Sequence, residues 1–364
     1  MLRDLTLLFL KLGTLGFGGP AAHIALMRQE VVERRRWLTE IQFLDLLGAA
    51  NLIPGPTSTE LAIHIGFRVC GWPGLLLAGA SFILPAACMV TIIASAYVHF
   101  HALPQVAGLM RGISPAVVAV VLHALWNLSR GSLKNWSLRL IAVASALLTS
   151  VGIHPLVTLL LCGAAVAAIH RPPSLMLWTP AVTAAQLSLT EPVTLSRLFL
   201  LFAKIGCLVF GSGYVLLAFL QDDFVTRTHW LTSTQLLDAV AVGQLTPGPV
   251  FTTATFIGYL VAGLPGAIVA TVAIFLPGWL LVALSGPLIP RIRRSALAGA
   301  FLDGVAAASV GLIAWVLLLL AKAALFDALT AAIAAIAAFL LFRYRLNAAW
   351  LLLGGGLLGT LFYA

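Results

Sequence analysis

Residues 51–66 read NLIPGPTSTELAIHIG and residues 243–259 read GQLTPGPVFTTATFIGY. Each carries Pro-Gly-Pro inside an apolar run. Pro54 pushes the residue before it out of the helical region, and Pro56 suits the first position of a new helix. Each run is therefore a broken helix with about 14 residues on either side of the break, where spanning a bilayer takes about 20. Residues 40–70 and 233–262 read as two helical hairpins that enter and leave on one face.

The two hairpins belong to a longer repeat. Shifted by 193 residues, 9–59 overlays 202–252 without a gap and with 20 identities in 51 positions, where chance would give about one in ten. Phe9, Lys11, Gly13, Phe17 and Gly18 match Phe202, Lys204, Gly206, Phe210 and Gly211. Trp37-Leu38-Thr39 matches Trp230-Leu231-Thr232, and Asp45 matches Asp238. After one deletion, Gly66, Pro73-Gly74, Leu84-Pro85 and Gly112 find Gly258, Pro265-Gly266, Leu276-Pro277 and Gly304. The chain reads as a first repeat over 1–170, a cytoplasmic linker over 171–193 and a second repeat over 194–364.

Composition fixes the environment. Of 364 residues, 61% are hydrophobic and 9% charged, against about 25% charged in a soluble protein. Mean hydropathy is +1.06. So few polar groups cannot cover a soluble surface, so the fold class is an all-α polytopic membrane protein. The net charge of +9 lies between the apolar runs, as retained cytoplasmic loops require, and gives no nucleic-acid footprint. Cys70, Cys88, Cys162 and Cys207 lack metal-type spacing and read as small buried hydrophobes. No cleavable signal peptide is expected, because Arg3 and Asp4 precede a segment that contains Lys11 and no small-residue cleavage site follows.

Loop charges orient the copies. Loop 28–36 carries Arg28, Arg34, Arg35 and Arg36, whereas 221–229 carries Asp222, Asp223 and one arginine, Arg227. The positive-inside rule reads this as opposite orientation, so the repeats are inverted. Spans near 5–27, 72–98, 112–129, 136–152 and 154–170 make five crossings in the first copy. Their counterparts lie near 194–220, 265–287, 296–320, 324–342 and 347–363. Cytoplasmic loops and the helix ends that border them then collect 15 of the 21 Lys and Arg residues.

Inverted repeats with interrupted helices are the plan of secondary transporters, with the site at the half-helix ends near the midplane. The site expected here is built on Pro54, Gly55, Pro56, Thr57, Ser58 and Thr59 and on Pro247, Gly248, Pro249, Thr252 and Thr253. Helix N-termini attract anions through free amides and partial positive charge, and the hydroxyls add donors. Asn51 and Gln244, equivalent on the incoming halves, are placed to orient ligand oxygens. A proline kink is the bland alternative. Lys11 and Lys204 read either as snorkelling cations or as a pair neutralising a dianion. Weak points follow each of them, at Gly18-Gly19 and at Gly211-Ser212, where glycine permits close packing or unwinding. Glu60, His23 and His64 are proton-coupling candidates; each histidine alone is more often a packed hydrogen-bonding residue. Motifs for nucleotide, zinc or nucleophilic catalysis are missing, so no enzyme activity, cofactor or metal is expected.

With FLKLGTLGFGGPAAHIALM at 9–27, NLIPGPTSTELAIHIG at 51–66, FILP at 82–85, FGSGYVLL at 210–217 and the second Pro-Gly-Pro run, the chain resembles the chromate ion transporter (CHR) family of long, two-domain type. That resemblance implies export of chromate across the cytoplasmic (inner) membrane and chromate resistance, with sulfate as the close analogue. The expected partners are chromate or sulfate and the lipid bilayer, with a homodimer left open. Sulfate uptake or exchange, and an anion channel, are the competing functions.

Overall fold

The computed structural model describes residues 1–100, 103–170, 193–209, 213–285, 295–344 and 346–363. The expected linker over 171–193 lies, but for its last residue, outside them. Among the described residues every regular element is helical. In the first half these are α1 (Leu2–Leu15), α2 (Gly19–Arg28), α3 (Glu40–Ala50), α4 (Thr57–Phe100), α5 (Pro104–Ser132), α6 (Trp136–Ser150) and α7 (Pro155–His170). The second half contributes α8 (Leu195–Leu208), α9 (Leu216–Leu220), α10 (Ser233–Leu245), α11 (Thr253–Ser285), α12 (Ala296–Ala324), α13 (Ala328–Tyr344) and α14 (Ala348–Tyr363). Among the described residues, four helices are long and apolar enough to cross a membrane: Thr57–Phe100, Pro104–Ser132, Val250–Leu284 and Ala296–Ala324. Four shorter apolar helices accompany them. The chain is an all-α polytopic membrane protein.

Local chemistry recurs at matching positions. Thr39 and Thr232 each accept from the backbone three residues on, and Gln42 and Gln235 answer, so both α3 and α10 open with a capping box. Such a box satisfies two amides that the helix start would otherwise leave without partners. Helix α4 is interrupted at Cys70 and Gly71, and α11 at Ala262 and Gly263, with both glycines at positive φ. Across each interruption the two pieces touch through glycine backbones. A Cβ on Gly66 would stand 2.2 Å from the carbonyl oxygen of Gly74, and one on Gly258 2.3 Å from that of Gly266. These breaks agree with the hairpin ends read at 70 and 262.

The first span of each half departs from expectation. In a continuous helix, Lys11 and Glu30 would lie about 28 Å apart. Their charged atoms are 3.0 Å apart. Gly18 at φ 110° and Gly19 at φ 75° reverse the chain between them, so α2 returns alongside α1. In the second half the described residues on either side meet in the same way: the Phe202 and Phe224 ring centroids are 4.9 Å apart, and the Arg197 guanidinium lies over Trp230. Neither 5–27 nor 194–220 is a single crossing. Four helical segments then remain to cross in the described first half (α4 past its break, α5, α6 and α7) in place of the five expected.

The halves interlock. Helix α5 packs on α14, where a Cβ on Gly112 would stand 2.0 Å from the Gly355 carbonyl, and α12 packs on α6 and α7. The long helices α4 and α11 cross in opposite directions. Leu75 shares a buried cluster with Val282, Gly79 abuts Trp279, and Tyr97, near the end of α4, meets Phe256 near the start of α11.

Candidate functional site

Each Pro-Gly-Pro tip is bonded to the other half. The Gly55 amide donates to the Val209 carbonyl at 2.7 Å, and the Gly248 amide donates to the Gly16 carbonyl at 3.1 Å. Gly55 is equivalent to Gly248 and Gly16 to Val209 under the shift of 193. The two bonds are therefore one contact made twice. Both tip glycines sit at positive φ, 134° and 96°, which side-chain-bearing residues rarely adopt.

Between the tips lies a cavity of about 100 Å³ lined by Pro20, Pro56, Thr57, Ser58, Gly213, Val250 and Phe251. Pro20 pairs with Gly213, Thr57 with Val250 and Ser58 with Phe251 in the repeat alignment. The helices starting at Thr57 and Val250 leave their first amides without a carbonyl one turn behind. The cavity is thus fed by two helix N-termini, with hydroxyls from the first half and a phenyl ring from the second. A tetrahedral anion placed there would meet positive helix ends.

Pro54, Gly55, Pro56, Thr57 and Ser58 are gathered at the first tip, and Pro247, Gly248 and Pro249 at the second. Thr252 and Thr253 are buried, and each returns its hydroxyl proton to a backbone carbonyl of its own turn. The Thr59 hydroxyl is buried outside the cavity lining. Gln244 accepts from the Tyr214 hydroxyl at 3.4 Å, next to cavity residue Gly213. Its equivalent Asn51 is exposed at the end of α3. Gly18 and Gly19 shape the reversal rather than the cavity. Gly211 and Ser212 lie outside the described residues.

Lys11 and Lys204 are not brought to the cavity, so they do not form the expected cation pair around a ligand. Lys11 bonds Glu30, which also holds Arg34 and Arg35. Lys204 bonds Asp223 at 2.6 Å and approaches His154. Glu30 and Asp223 are themselves repeat equivalents, an acid matched with an acid at the same shift as the lysines. That match was available in the sequence and identifies each lysine's partner. His154, Asp222 and Asp223 are close enough to share a cation, but Lys204 and Arg227 already neutralise their carboxylates.

The coupling candidates differ in setting. His23 bonds the Gly16 carbonyl at 2.8 Å and packs edge-on against Phe82, which makes it a tether for the same carbonyl that receives the second tip. His64 is buried with Nε2 unpartnered among the described residues. Glu60 is fully buried, neither carboxyl oxygen has a partner there, and its side chain lies against Gly55 and Gly278. Its equivalent is Thr253, so the acid belongs to one tip alone.

The family described as "Chromate transporter" matches the chain twice, over residues 3–168 and 196–360. The chain belongs to the chromate transporter family. The two matches cover nearly the whole chain, and the family is one of membrane transporters. A chromate transport protein of Cupriavidus metallidurans is 37% identical over all of this chain and 93% of its own length. A probable chromate transport protein of Synechococcus elongatus is 34% identical over 90% of this chain and 86% of its own. A chromate transport protein of Pseudomonas aeruginosa is 32% identical over 98% and 91%. No solved structure matches the chain.

Proposed function

We propose that this chain is a secondary transporter that exports chromate across the cytoplasmic membrane, conferring chromate resistance, with the cavity between the tips as its binding site. The observation that carries this reading is the pair of equivalent bonds, Gly55 to Val209 and Gly248 to Gly16, flanking a cavity lined by equivalent residues. Two convergent helix ends suit a dianion with four acceptor oxygens. The names of the family and of its relatives support chromate as that anion.

The halves are proposed to be inverted, so that one rocks against the other around a fixed site. The opposed courses of α4 and α11 support this, as does the contact of Tyr97 with Asp238 in the second hairpin. Glu60 is proposed as the proton carrier, because a buried carboxyl without a donor is costly when ionised and it lies directly behind the first tip. Sulfate uptake or exchange is the second reading, favoured by the same observation, since nothing in the cavity lining distinguishes the two tetrahedral dianions.

Everted vesicles energised with a proton gradient and supplied with labelled chromate or sulfate test the proposal. Gradient-dependent chromate accumulation is expected, and Glu60→Gln is expected to abolish the gradient dependence while leaving chromate exchange. Accumulation of sulfate alone, or large single-channel currents, would overturn chromate export.

A further inference from the structure

A second cavity, about 210 Å³, lies where the end of α4, the start of α5, α10 and the end of α12 meet. Tyr97, Arg111, Ser114, Thr234, Asp238 and Phe326 are among its walls. Asp238 is only 3% exposed. Its Oδ2 accepts from the Tyr97 hydroxyl at 2.7 Å, whereas the buried Oδ1 has no partner among the described residues. The Ser114 proton goes to the Met110 carbonyl, which leaves Arg111 and Thr234 as the donors facing the space. Asp238 lies nine residues before Pro247 on the same half-helix, about 14 Å along it. Its first-half equivalent Asp45 is exposed.

An ionised Asp238 would oppose any anion here and would leave Oδ1 buried without a donor. A proton on Oδ1 removes both obstacles: it gives the cavity a net positive charge from Arg111 and turns the orphan oxygen into a donor. We propose that this cavity is an outer station of the transport path where a small oxyanion and a proton bind together, the anion on Arg111 and Thr234 and the proton on Asp238. This rests on the oxyanion-transport reading above.

Other charged groups on the surrounding elements are engaged or turned away. Asp222 and Asp223 are held by Arg227, Lys204 and His154. Asp327 is held by Thr330 and Tyr363. The His99 ring bonds the Ser95 carbonyl, His123 lies beside Asn127, and Asp303 and Lys322 are exposed. Oxyanion binding should therefore be present at pH values where Asp238 is protonated and be lost as pH rises through its titration.

The test uses the full chain in proteoliposomes, with Ala107→Cys in the cavity wall as reporter and the parent protein as blank for native cysteines. Sulfate should slow modification of that cysteine by an anionic thiosulfonate. Its half-protecting concentration should rise about tenfold per pH unit once the carboxyl ionises. Asp238→Asn should make protection independent of pH, Arg111→Gln should abolish it, and Tyr97→Phe, which removes a bond favouring the ionised form, should move the loss to higher pH. An unchanged pH profile in Asp238→Asn overturns the station; if that variant does not fold, an unchanged profile in Tyr97→Phe does so. Absence of protection while chromate or sulfate flux persists also overturns it and leaves the tip site standing. Absence of both protection and flux overturns the transport reading itself.

Discussion

Lys204 and Asp223 form a bond of 2.6 Å with side chains 31% and 4% exposed, while Lys11, bonded to Glu30, is half exposed. The two pairs are equivalent in sequence but not in energy. Removing Lys204 leaves the buried Asp223 with His154 alone beside it, and that contact together with the partial exposure of Lys204 holds the penalty to about 2 kcal/mol. Glu30 is buried but keeps Arg34 and Arg35 when Lys11 is removed, and with Lys11 half exposed that loss should cost under about 1 kcal/mol. Lys204→Met should lower the melting temperature in detergent markedly, Lys11→Met only slightly. Adding Asp223→Asn to Lys204→Met should restore most of the loss, because no unpaired carboxylate then remains. If the double variant melts as low as the single one, charge pairing is not what the lysine supplies. Chromate flux in the double variant then reports on any separate role in binding, free of a folding defect. The sequence made both lysines legible as anomalies, but their partners lie 19 residues away, beyond a chain reversal that periodicity did not reveal.

At the level of elements, the breaks at the two tips were legible because two prolines flanking a glycine act together, whereas single prolines such as Pro85 and Pro277 lie inside helices. The interruption at Cys70-Gly71 was likewise readable as the boundary between the hairpin and the next span. Glycines are ambiguous by contrast. Gly16, Gly18 and Gly19 serve equally for close packing and for reversal, and only a tertiary contact such as Lys11 with Glu30 separates the two. Gly66 and Gly71 separate the same two roles within α4. Gly71 lies at φ 63° with open space around its Cβ direction, whereas a Cβ on Gly66 would meet the Gly74 backbone at 2.2 Å. Gly71→Ala should cost about 1–2 kcal/mol, the penalty of a left-handed residue, and leave a folded protein. Gly66→Ala forces two helix backbones apart and should abolish monodisperse elution in size-exclusion chromatography. Equal behaviour of the two variants would mean that the close approach does not hold the half-helix in place.

For the whole molecule, the interlocking of α5 with α14 and of α12 with α6 and α7 ties each half's course to the other's. Ser145, for example, bonds the Ala308 carbonyl across the two halves at 2.7 Å. With the first span folded back, Val166 of α7 still shares a buried cluster with Leu138 of α6 and Ala300 of α12. The start of α8 lies beside Trp230, at the mouth of the hairpin whose Asp238 meets Tyr97. Loop charge pointed to opposite orientation independently of any count of crossings, so a change in the count leaves that expectation to be tested directly. Glu33 and Thr226 are equivalent, exposed and adjacent to the two fold-backs. Cysteines placed there, one per molecule, should react with a membrane-impermeant maleimide from opposite sides: Glu33→Cys only in everted vesicles and Thr226→Cys only in intact cells. Labelling of both from the same side would make the repeats parallel. The tips would then be related by an axis along the membrane normal, and rocking of inverted halves could not move an anion between the two faces.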